Sequence, residues 1–273
     1  MPFCETNDGT KIFYNDWGAP TAPPVVLISG WPFDADMWEY QAMELASRGL
    51  RVIAYDRRGF GRSSQPWGGY DYDTLASDLA SLIDKLSLRA PSLVGFSMGG
   101  GEVVRYLSRN PGAVKKAALV SSIVPLMVKT ADHPEGIDRT VFDAMISDLK
   151  KDRPAFLASF GKKFFGAGLL SSPVSSDVLD WAKSVCLLAS PKATLDCVRT
   201  FSETDFRREL AEISIPVLVI HGDADVIVPI DTAGRAAAKL LPRAVLKEYA
   251  GAPHGLFVTE KDRLTDDLLA FLR

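Results

Sequence analysis

The chain has 273 residues, of which 47% are hydrophobic, and its 31 basic and 34 acidic residues leave a formal net charge of -3. This length and apolar content suffice for a large buried core, either as one large domain or as one domain with an insertion. The nearly balanced charge gives no reason to expect nucleic acid or a membrane surface as a partner, and no apolar run approaches the roughly 20 residues of a membrane span.

The cysteines and the first residues indicate where the protein works. The cysteines are odd in number and lack metal-ligand spacing, so we expect three free thiols and no metal site: Cys4, Cys186 and Cys197. Residues 1–8 lack the basic region and apolar core of a signal peptide. Free thiols are typical of a reducing compartment, and these features together favour a cytoplasmic protein.

The first half of the chain alternates predicted strands with predicted helices. It opens with a hairpin whose strands lie at 3–6 and 12–16, because Asp8-Gly9 between alternating runs is a strong turn signal. The strands predicted next are 24–30, 51–56, 90–94 and 115–121, and the helices are 37–48, 74–86 and a segment from Gly100 onward. This alternation predicts a mostly parallel central sheet with helices on both faces.

The alternation stops between about Pro125 and Leu210. That region has helical patterns at 141–150, 154–163, 176–188 and 192–202, and its apolar residues are notably aromatic. We interpret 125–210 as a helical cap over the carboxyl edge of the sheet, with 1–124 and 211–273 forming the core domain; extra helices packed on the side are the alternative. The core resumes with strands at 215–221 and 244–249 and helices at 232–240 and 261–272.

A serine motif lies between a predicted strand and a predicted helix. Gly95-Phe96-Ser97-Met98-Gly99 has the pattern G-x-S-x-G in the strand-turn-helix context that this motif requires. The serine needs a strained backbone conformation, and a Cβ at either flanking glycine would collide with the neighbouring strand or helix. We therefore predict that Ser97 is a nucleophile; the alternative is a glycine-rich helix start without chemistry.

A nucleophilic serine needs an imidazole base and a carboxylate that fixes the tautomer of that imidazole. Of the three histidines, His133 lies in the expected cap, where a solvated loop position explains it, and His221 ends a strand, where it is expected to bond backbone. His254 follows the last predicted strand, at the same sheet edge as the serine, and is the predicted base. For the acid we favour Asp225 over Asp223, which is better placed to stabilise the turn.

Stabilisation of an oxyanion needs two N–H groups that point at the developing charge. Met98, directly after the nucleophile, supplies one of them. The loop Ser29-Gly30-Trp31-Pro32 should supply the other, and Trp31 is the candidate because Pro32 has no N–H. Pro32 also restricts Trp31 to an extended conformation and so fixes the direction of its carbonyl.

With these residues in place, the chain resembles the cofactor-free haloperoxidase and aryl esterase branch of the α/β-hydrolases over nearly its whole length. The matching stretches are Gly30-Trp31-Pro32, Asp34 to Trp38, Tyr55 to Ser63, Gly95 to Gly101, Glu203 to Arg207, His221 to Asp225 and Ala252 to Gly255. The resemblance implies an α/β-hydrolase fold and hydrolysis of small carboxylic esters through an acyl-enzyme, with no metal, haem or flavin. It also implies a perhydrolase side reaction, in which a carboxylic acid and hydrogen peroxide form a peracid that oxidises halide, and a homo-oligomer.

The resemblance further suggests which residues contact the substrate. Phe142, Phe160, Phe164 and Phe201 are expected to line the acyl or alcohol pocket, with Ile227 beside the acid, although periodicity alone would place all of them in the cap core. Pro32 is typical of the peroxidase-type members, where the carbonyl before it would accept a hydrogen bond from bound peroxide or peracid. Ser29 departs from the family, which usually has histidine there, and we expect this change to affect geometry and rate rather than the reaction class.

Rival functions remain at this point. A γ-lactamase or other amidase could use the same triad, because both reactions pass through an oxyanion at Ser97. A haloalkane dehalogenase is excluded because its nucleophile is an aspartate, and an interfacial lipase is disfavoured because the cap lacks a large exposed apolar helix. A non-catalytic ligand receptor on the same fold is disfavoured by the complete set of catalytic residues. The arginines of Arg57 to Arg62 are expected to pair with carboxylates rather than to bind an anion.

Overall fold

The computed structural model describes residues 2–168 and 172–273, which contain an eight-stranded sheet. The strands in chain order are β1 Phe3–Glu5, β2 Lys11–Trp17, β3 Pro24–Ile28, β4 Arg51–Tyr55, β5 Ser92–Phe96, β6 Ala117–Val120, β7 Val217–Gly222 and β8 Ala244–Tyr249. Their spatial order is β1-β2-β4-β3-β5-β6-β7-β8. The pairs β1–β2 and β2–β4 are antiparallel and the other neighbouring pairs are parallel, so the predicted mostly parallel sheet is confirmed.

The helices of the described residues follow the predicted order. They are α1 Glu39–Ser47, α2 Tyr72–Lys85, α3 Met98–Arg109, α4 Arg139–Phe164, α5 Ser176–Leu187, α6 Pro191–Glu203, α7 Arg207–Glu212, α8 Gly234–Leu240, α9 Leu256–Thr259 and α10 Lys261–Leu272. A short 3-10 helix, Ala35–Trp38, precedes α1. The sequence analysis did not predict this turn, α7 or α9, because elements of four to six residues are too short to show a helical period.

Alternate side chains of the central strands enter two separate cores. In β3, Val26 and Ile28 pack on the face covered by α2 and α3, whereas Val25 and Leu27 pack on the face covered by α1 and α10. Successive side chains of a strand point to opposite faces, so a strand covered on both faces must be apolar throughout. This explains why the central strands are continuous apolar runs rather than alternating ones.

Helix α4 corresponds to two helices in the sequence analysis, and a kink accounts for the difference. Asp152 has non-helical backbone angles of φ -157° and ψ 85°, and Pro154 follows it inside the helix. Proline lacks an N–H and clashes with the preceding turn, which breaks the helical ladder there. The Asp152 carboxylate accepts a hydrogen bond from the N–H of Ala155 at 2.9 Å and caps the second half of the helix.

The helices between β6 and β7 lie over the carboxyl edge of the sheet. Trp31 follows β3 at this edge, and its ring is 6.5 Å from that of Phe156 and 5.5 Å from that of Phe160 in α4. Phe201 of α6 lies 5.7 Å from the same indole. This position fits the expected cap better than helices packed on the side, while the boundaries 125–210 stay a prediction. Within the described residues, no helix combines the length and the apolarity needed to cross a membrane.

Candidate active site

Ser97 occupies a sharp turn between β5 and α3. Its backbone angles are φ 51° and ψ -117°, a conformation that residues other than glycine rarely adopt. A Cβ added at Gly95 would lie 2.5 Å from the carbonyl oxygen of Gly99, and one added at Gly99 would lie 2.6 Å from that of Ile28. Both flanking positions therefore require glycine, as predicted, because the strand and the helix meet with no room for a side chain.

The structure brings the three predicted triad residues into one hydrogen-bonded chain. Nε2 of His254 is 3.0 Å from Oγ of Ser97, and Nδ1 of His254 is 2.6 Å from Oδ2 of Asp225. The other oxygen of Asp225 accepts the N–H groups of Ile227 at 2.9 Å and Val228 at 2.8 Å, which fix the carboxylate. With Nδ1–H donating to Asp225, Nε2 is left to accept the proton of the serine hydroxyl.

The surroundings of Asp225 keep it ionised. Burial by itself would raise the pKa of this carboxyl, but the imidazoles of His254 and His221 hold the pKa well below its usual range. His221 donates from Nε2 to the carbonyl of Val228 at 2.9 Å and lies 3.3 Å from the carboxylate, so it bonds backbone, as predicted, and also faces the acid. Asp223 accepts the N–H of Gly251 at 2.6 Å and so links the two loops that carry the acid and the base.

The predicted oxyanion loop lies directly against the nucleophile. A Cβ at Gly30 would be 3.0 Å from Cβ of Ser97, which shows how closely the backbones approach. Within the described part of the chain, the N–H groups of Trp31 and Met98 have no protein acceptor, and Met98 opens helix α3, whose N-terminal N–H groups favour negative charge. The Trp31–Pro32 peptide bond is cis.

Two contacts hold this loop from opposite sides. The indole Nε1 of Trp31 donates to the carbonyl of Thr194 in α6 at 3.0 Å, so the cap supports the residue that presents the N–H. On the other side, Nη2 of Arg57 donates to the carbonyl of Ser29 at 2.8 Å, while Nε of Arg57 donates to Glu102 of α3 at 2.9 Å. Arg57 and Glu102 are almost completely buried, and the predicted pairing of this arginine with a carboxylate is confirmed.

A cavity of about 620 Å³ opens above the serine and the imidazole. Its wall is mainly apolar and aromatic, and includes Phe142, Phe156, Phe160 and Phe201 from the cap, Trp31 from the oxyanion loop, the thioethers Met127 and Met145, and Ile227 beside the acid. Two exposed charged residues, Asp148 and Lys163, complete the rim. An apolar cavity with a few convergent polar groups at one end is the usual form of a small-molecule site.

Comparison with known proteins decides the family. The profile of the alpha/beta hydrolase fold matches residues 23–261. The chain belongs to the α/β-hydrolase family. This hydrolase is 44% identical over 272 residues to a non-heme chloroperoxidase of Streptomyces lividans, covering 98% of each chain, and 40% identical over 276 residues to a bifunctional esterase/perhydrolase of Acinetobacter calcoaceticus, covering 100% of each. The crystal structure of a bromoperoxidase from Bacillus anthracis superposes with a TM-score of 0.95 at 44% identity and 99% coverage of both chains. The resemblance to the haloperoxidase and esterase branch is therefore confirmed.

Two of the predicted substrate contacts lie outside the cavity wall of the hydrolase. Phe164 is 1% exposed and packs edge-on against the His254 ring, with the ring centroids 4.8 Å apart. The last turn of α4 therefore lies beneath the base and does not face the cavity. Pro32 is buried and is not among the residues that line the cavity. The predicted wall position of Phe164 was wrong, whereas Phe142, Phe160, Phe201 and Ile227 do line the cavity. The role of Pro32 in directing the Trp31 carbonyl stays a prediction.

Several wall residues were missed by sequence reasoning. Phe156 precedes Phe160 by one helical turn, so the i, i+4 spacing on α4 would have found it. Met145 gave no signal because a methionine in a helical pattern is typical of an ordinary core, and Met127 lies in the irregular segment between β6 and α4, where no period places its side chain. The half-buried His133 differs from the solvated position expected for it, and it lies in the turn where Gly136 packs against its ring.

Proposed function

We propose that this hydrolase cleaves small carboxylic esters through an acyl-enzyme on Ser97. The observation that carries the proposal is the hydrogen-bonded chain Ser97–His254–Asp225 at the floor of an apolar cavity, beside two N–H groups that lack an acceptor among the described residues. The branch of the family supports it, since relatives of equal length are named as an esterase/perhydrolase and as chloroperoxidases.

The proposed reaction uses each of these groups once per half-cycle. Oγ of Ser97 attacks the ester carbonyl while Nε2 of His254 takes its proton, and the N–H groups of Trp31 and Met98 bind the oxyanion. Collapse of the tetrahedral intermediate expels the alcohol, which receives the proton from His254. Water then attacks the acyl-enzyme by the same route and releases the acid, and the ionised Asp225 stabilises the imidazolium in both steps.

Perhydrolysis follows when hydrogen peroxide takes the place of water. A peroxide oxygen attacks the acyl carbon, the bond to Oγ of Ser97 breaks, and a peracid leaves while the serine regains its proton from His254. The carbonyl of Trp31, directed by Pro32, would accept a hydrogen bond from the peroxide. The peracid then oxidises halide in solution, which accounts for the names of the relatives without any cofactor.

The cavity favours apolar, aromatic-sized substrates over acetyl groups alone. About 620 Å³ is far more than an acetyl group fills, and the wall offers mostly ring faces and thioethers. Apolar surface that leaves water gains roughly 25 cal/mol per Å², so an aryl group on the acid or the alcohol would strengthen binding. We further propose that the enzyme acts in the cytoplasm as a homo-oligomer, which cell fractionation and light scattering on the purified protein would test.

The first test compares the wild type with Ser97→Ala on p-nitrophenyl acetate and p-nitrophenyl benzoate. We expect p-nitrophenol release by the wild type on both esters, a lower KM for the benzoate, and loss of turnover in the variant. Bromination of monochlorodimedone with acetate and peroxide then tests perhydrolysis. A wild type that is inactive on these esters and active on a γ-lactam would contradict the proposal and favour the amidase alternative.

A further inference from the structure

Two methionines line the same cavity as the nucleophile, and the mechanism gives them no role. Met127 follows β6 and is 5% exposed, and Met145 lies on α4 and is half-buried. Both side chains contribute to the wall that also contains Ser97 and His254. A peracid formed on Ser97 must cross this cavity before it reaches solution.

A thioether is a good acceptor for the oxygen that a peracid carries. The O–O bond of the peracid breaks, its terminal oxygen forms a bond to sulfur, and the proton stays with the carboxylic acid that leaves. Sulfur is thereby oxidised by two electrons to the sulfoxide, and the peracid is reduced to the acid. The oxidant comes from the proposed perhydrolysis, so this inference depends on that function.

The other sulfur atoms of the described residues are less favourably placed. The thiols of Cys4, Cys186 and Cys197 are buried, and burial raises the pKa of each, that of Cys197 to about 12, which removes the reactive thiolate. Met98, which follows the nucleophile directly, is completely buried, and so is Met37. Met43 on α1 is 69% exposed and lies outside the cavity wall.

Confinement decides which thioether reacts first. One peracid molecule in about 620 Å³ corresponds to a local concentration of about 3 M, on the order of a thousand times that of a millimolar solution. During the first turnovers, only the residues of the cavity wall experience that concentration. Met43 has far more exposed surface, but it meets only peracid that has already escaped into the bulk.

We propose that Met127 and Met145 form an oxidation site for the enzyme's own peracid product. Conversion to sulfoxide places a polar, chiral group in an apolar wall, which weakens the binding of apolar acyl or aryl groups. Perhydrolysis then limits itself, because each transfer of oxygen from the peracid to a wall methionine lowers the activity of the enzyme on apolar substrates. Hydrolysis with water produces no peracid and leaves the wall unchanged.

The experiment maps sulfoxides by peptide mass spectrometry after brief incubation with acetate and hydrogen peroxide. Excess free methionine is added to consume peracid in the bulk, and Ser97→Ala treated in the same way reports oxidation by peroxide alone. We expect the wild type to carry at least about tenfold more sulfoxide at Met127 or Met145 than at Met43, with Met98 unmodified, because the local concentration decides the rate. The excess should vanish in Ser97→Ala.

Two results would overturn the inference, and a parallel assay separates them from failure of the proposed function. Oxidation of Met43 ahead of the cavity methionines, or equal cavity oxidation in Ser97→Ala, would mean that the oxidant arrives from the bulk. Bromination of monochlorodimedone, measured without the scavenger, shows whether peracid forms at all. If peracid forms and the cavity shows no preference, only the oxidation site is wrong; if none forms, perhydrolysis and the oxidation site are both wrong.

A second variant measures the consequence of oxidation. Met127→Leu/Met145→Leu keeps the wall apolar at similar volume and removes both sulfur atoms. Each enzyme is scored against its own esterase activity before exposure to acetate and peroxide. We expect the variant to retain a severalfold larger fraction of its activity on p-nitrophenyl benzoate than the wild type retains, and equal fractional losses would contradict self-limitation.

Discussion

Replacing Arg57 with methionine should separate what the buried ion pair does for stability from what it does for the oxyanion loop. The substitution leaves the carboxyl of Glu102, which is 0% exposed, without its cationic partner. Removing one member of a buried pair typically costs about 3–5 kcal/mol, a large part of the roughly 5–15 kcal/mol that stabilises an ordinary domain. Arg48→Met is the control, because Arg48 and Glu44 are half-exposed and such a pair contributes at most about 1 kcal/mol.

The loss of stability should depend on pH with a definite sign. Burial raises the pKa of Glu102 above its usual value, and the substitution removes the largest opposing influence, the charge of Arg57, so that the hydrogen bond from the Tyr55 hydroxyl and the charge of Arg58 remain. A group whose folded-state pKa exceeds its unfolded-state pKa stabilises the fold at low pH, and that stability is lost as the pH rises through the folded-state value. We therefore expect Arg57→Met to be closer to the wild type at pH 5 than at pH 8.

The double variant Arg57→Met/Glu102→Gln tests whether the unpaired carboxylate causes the loss of stability. It removes the unpaired charge, so more than half of the lost free energy of unfolding should be recovered, and the remaining difference from the wild type should no longer depend on pH, as measured by urea denaturation. Its kcat should stay reduced by about tenfold or more, because the contact from Arg57 to the Ser29 carbonyl is still absent. This loss should be smaller than the factor of about 10²–10³ that removal of a whole oxyanion donor costs. An Arg57→Met variant within 1 kcal/mol of the wild type at pH 8 would refute the reasoning about stability, and wild-type kcat in the double variant would refute the role in the loop.

Four further substitutions test individual contacts of the site. Asp225→Asn should lower kcat by up to about 10⁴ with little change in KM, because an amide can no longer fix the His254 tautomer. Steady-state kinetics on p-nitrophenyl acetate measure this change, and a kcat lowered by less than about tenfold would contradict the assigned role of Asp225. Phe164→Ala should cost about 3–5 kcal/mol of stability and lower kcat, since it leaves a void beneath the imidazole. Phe160→Ala should mainly raise KM for aryl esters. Similar changes in kcat and KM in the two variants would contradict the conclusion that only Phe160 faces the cavity. Pro32→Leu should lower the ratio of perhydrolysis to hydrolysis, measured on one acyl group with peroxide and with water, and an unchanged ratio would rule out the carbonyl of the oxyanion loop as the peroxide contact.

The sequence was most informative where chemistry restricts both residue type and position. The nucleophile turn could be predicted because Gly95 and Gly99 are the only residue type that fits between strand and helix. His254 followed from a short list of histidines and from the rule that parallel strands present their carboxyl ends at one edge. Both predictions follow from local structure and sheet topology, and neither requires knowledge of how distant side chains pack.

The cavity wall was only partly predictable, for a physical reason. Phe160 and Phe164 are one turn apart on α4 and look equivalent in a helical pattern, yet one faces the cavity and the other packs under His254. The difference is one of position along the helix axis, because Phe164 is the last residue of α4, one turn beyond Phe160, and lies against the His254 ring. Likewise, Arg57 was expected to pair with a carboxylate, but Glu102 as its partner follows only from the distance between β4 and α3 in the fold.

The most direct test of the central claim is to trap the proposed nucleophile covalently. Incubation with diethyl p-nitrophenyl phosphate, followed by intact-mass measurement and peptide mapping, should place one diethylphosphoryl group per chain on Ser97, with parallel loss of esterase and perhydrolase activity. Ser97→Ala should remain unlabelled, and His254→Ala should label at a much lower rate. A label on another residue, or loss of both activities without a label on Ser97, would contradict the account.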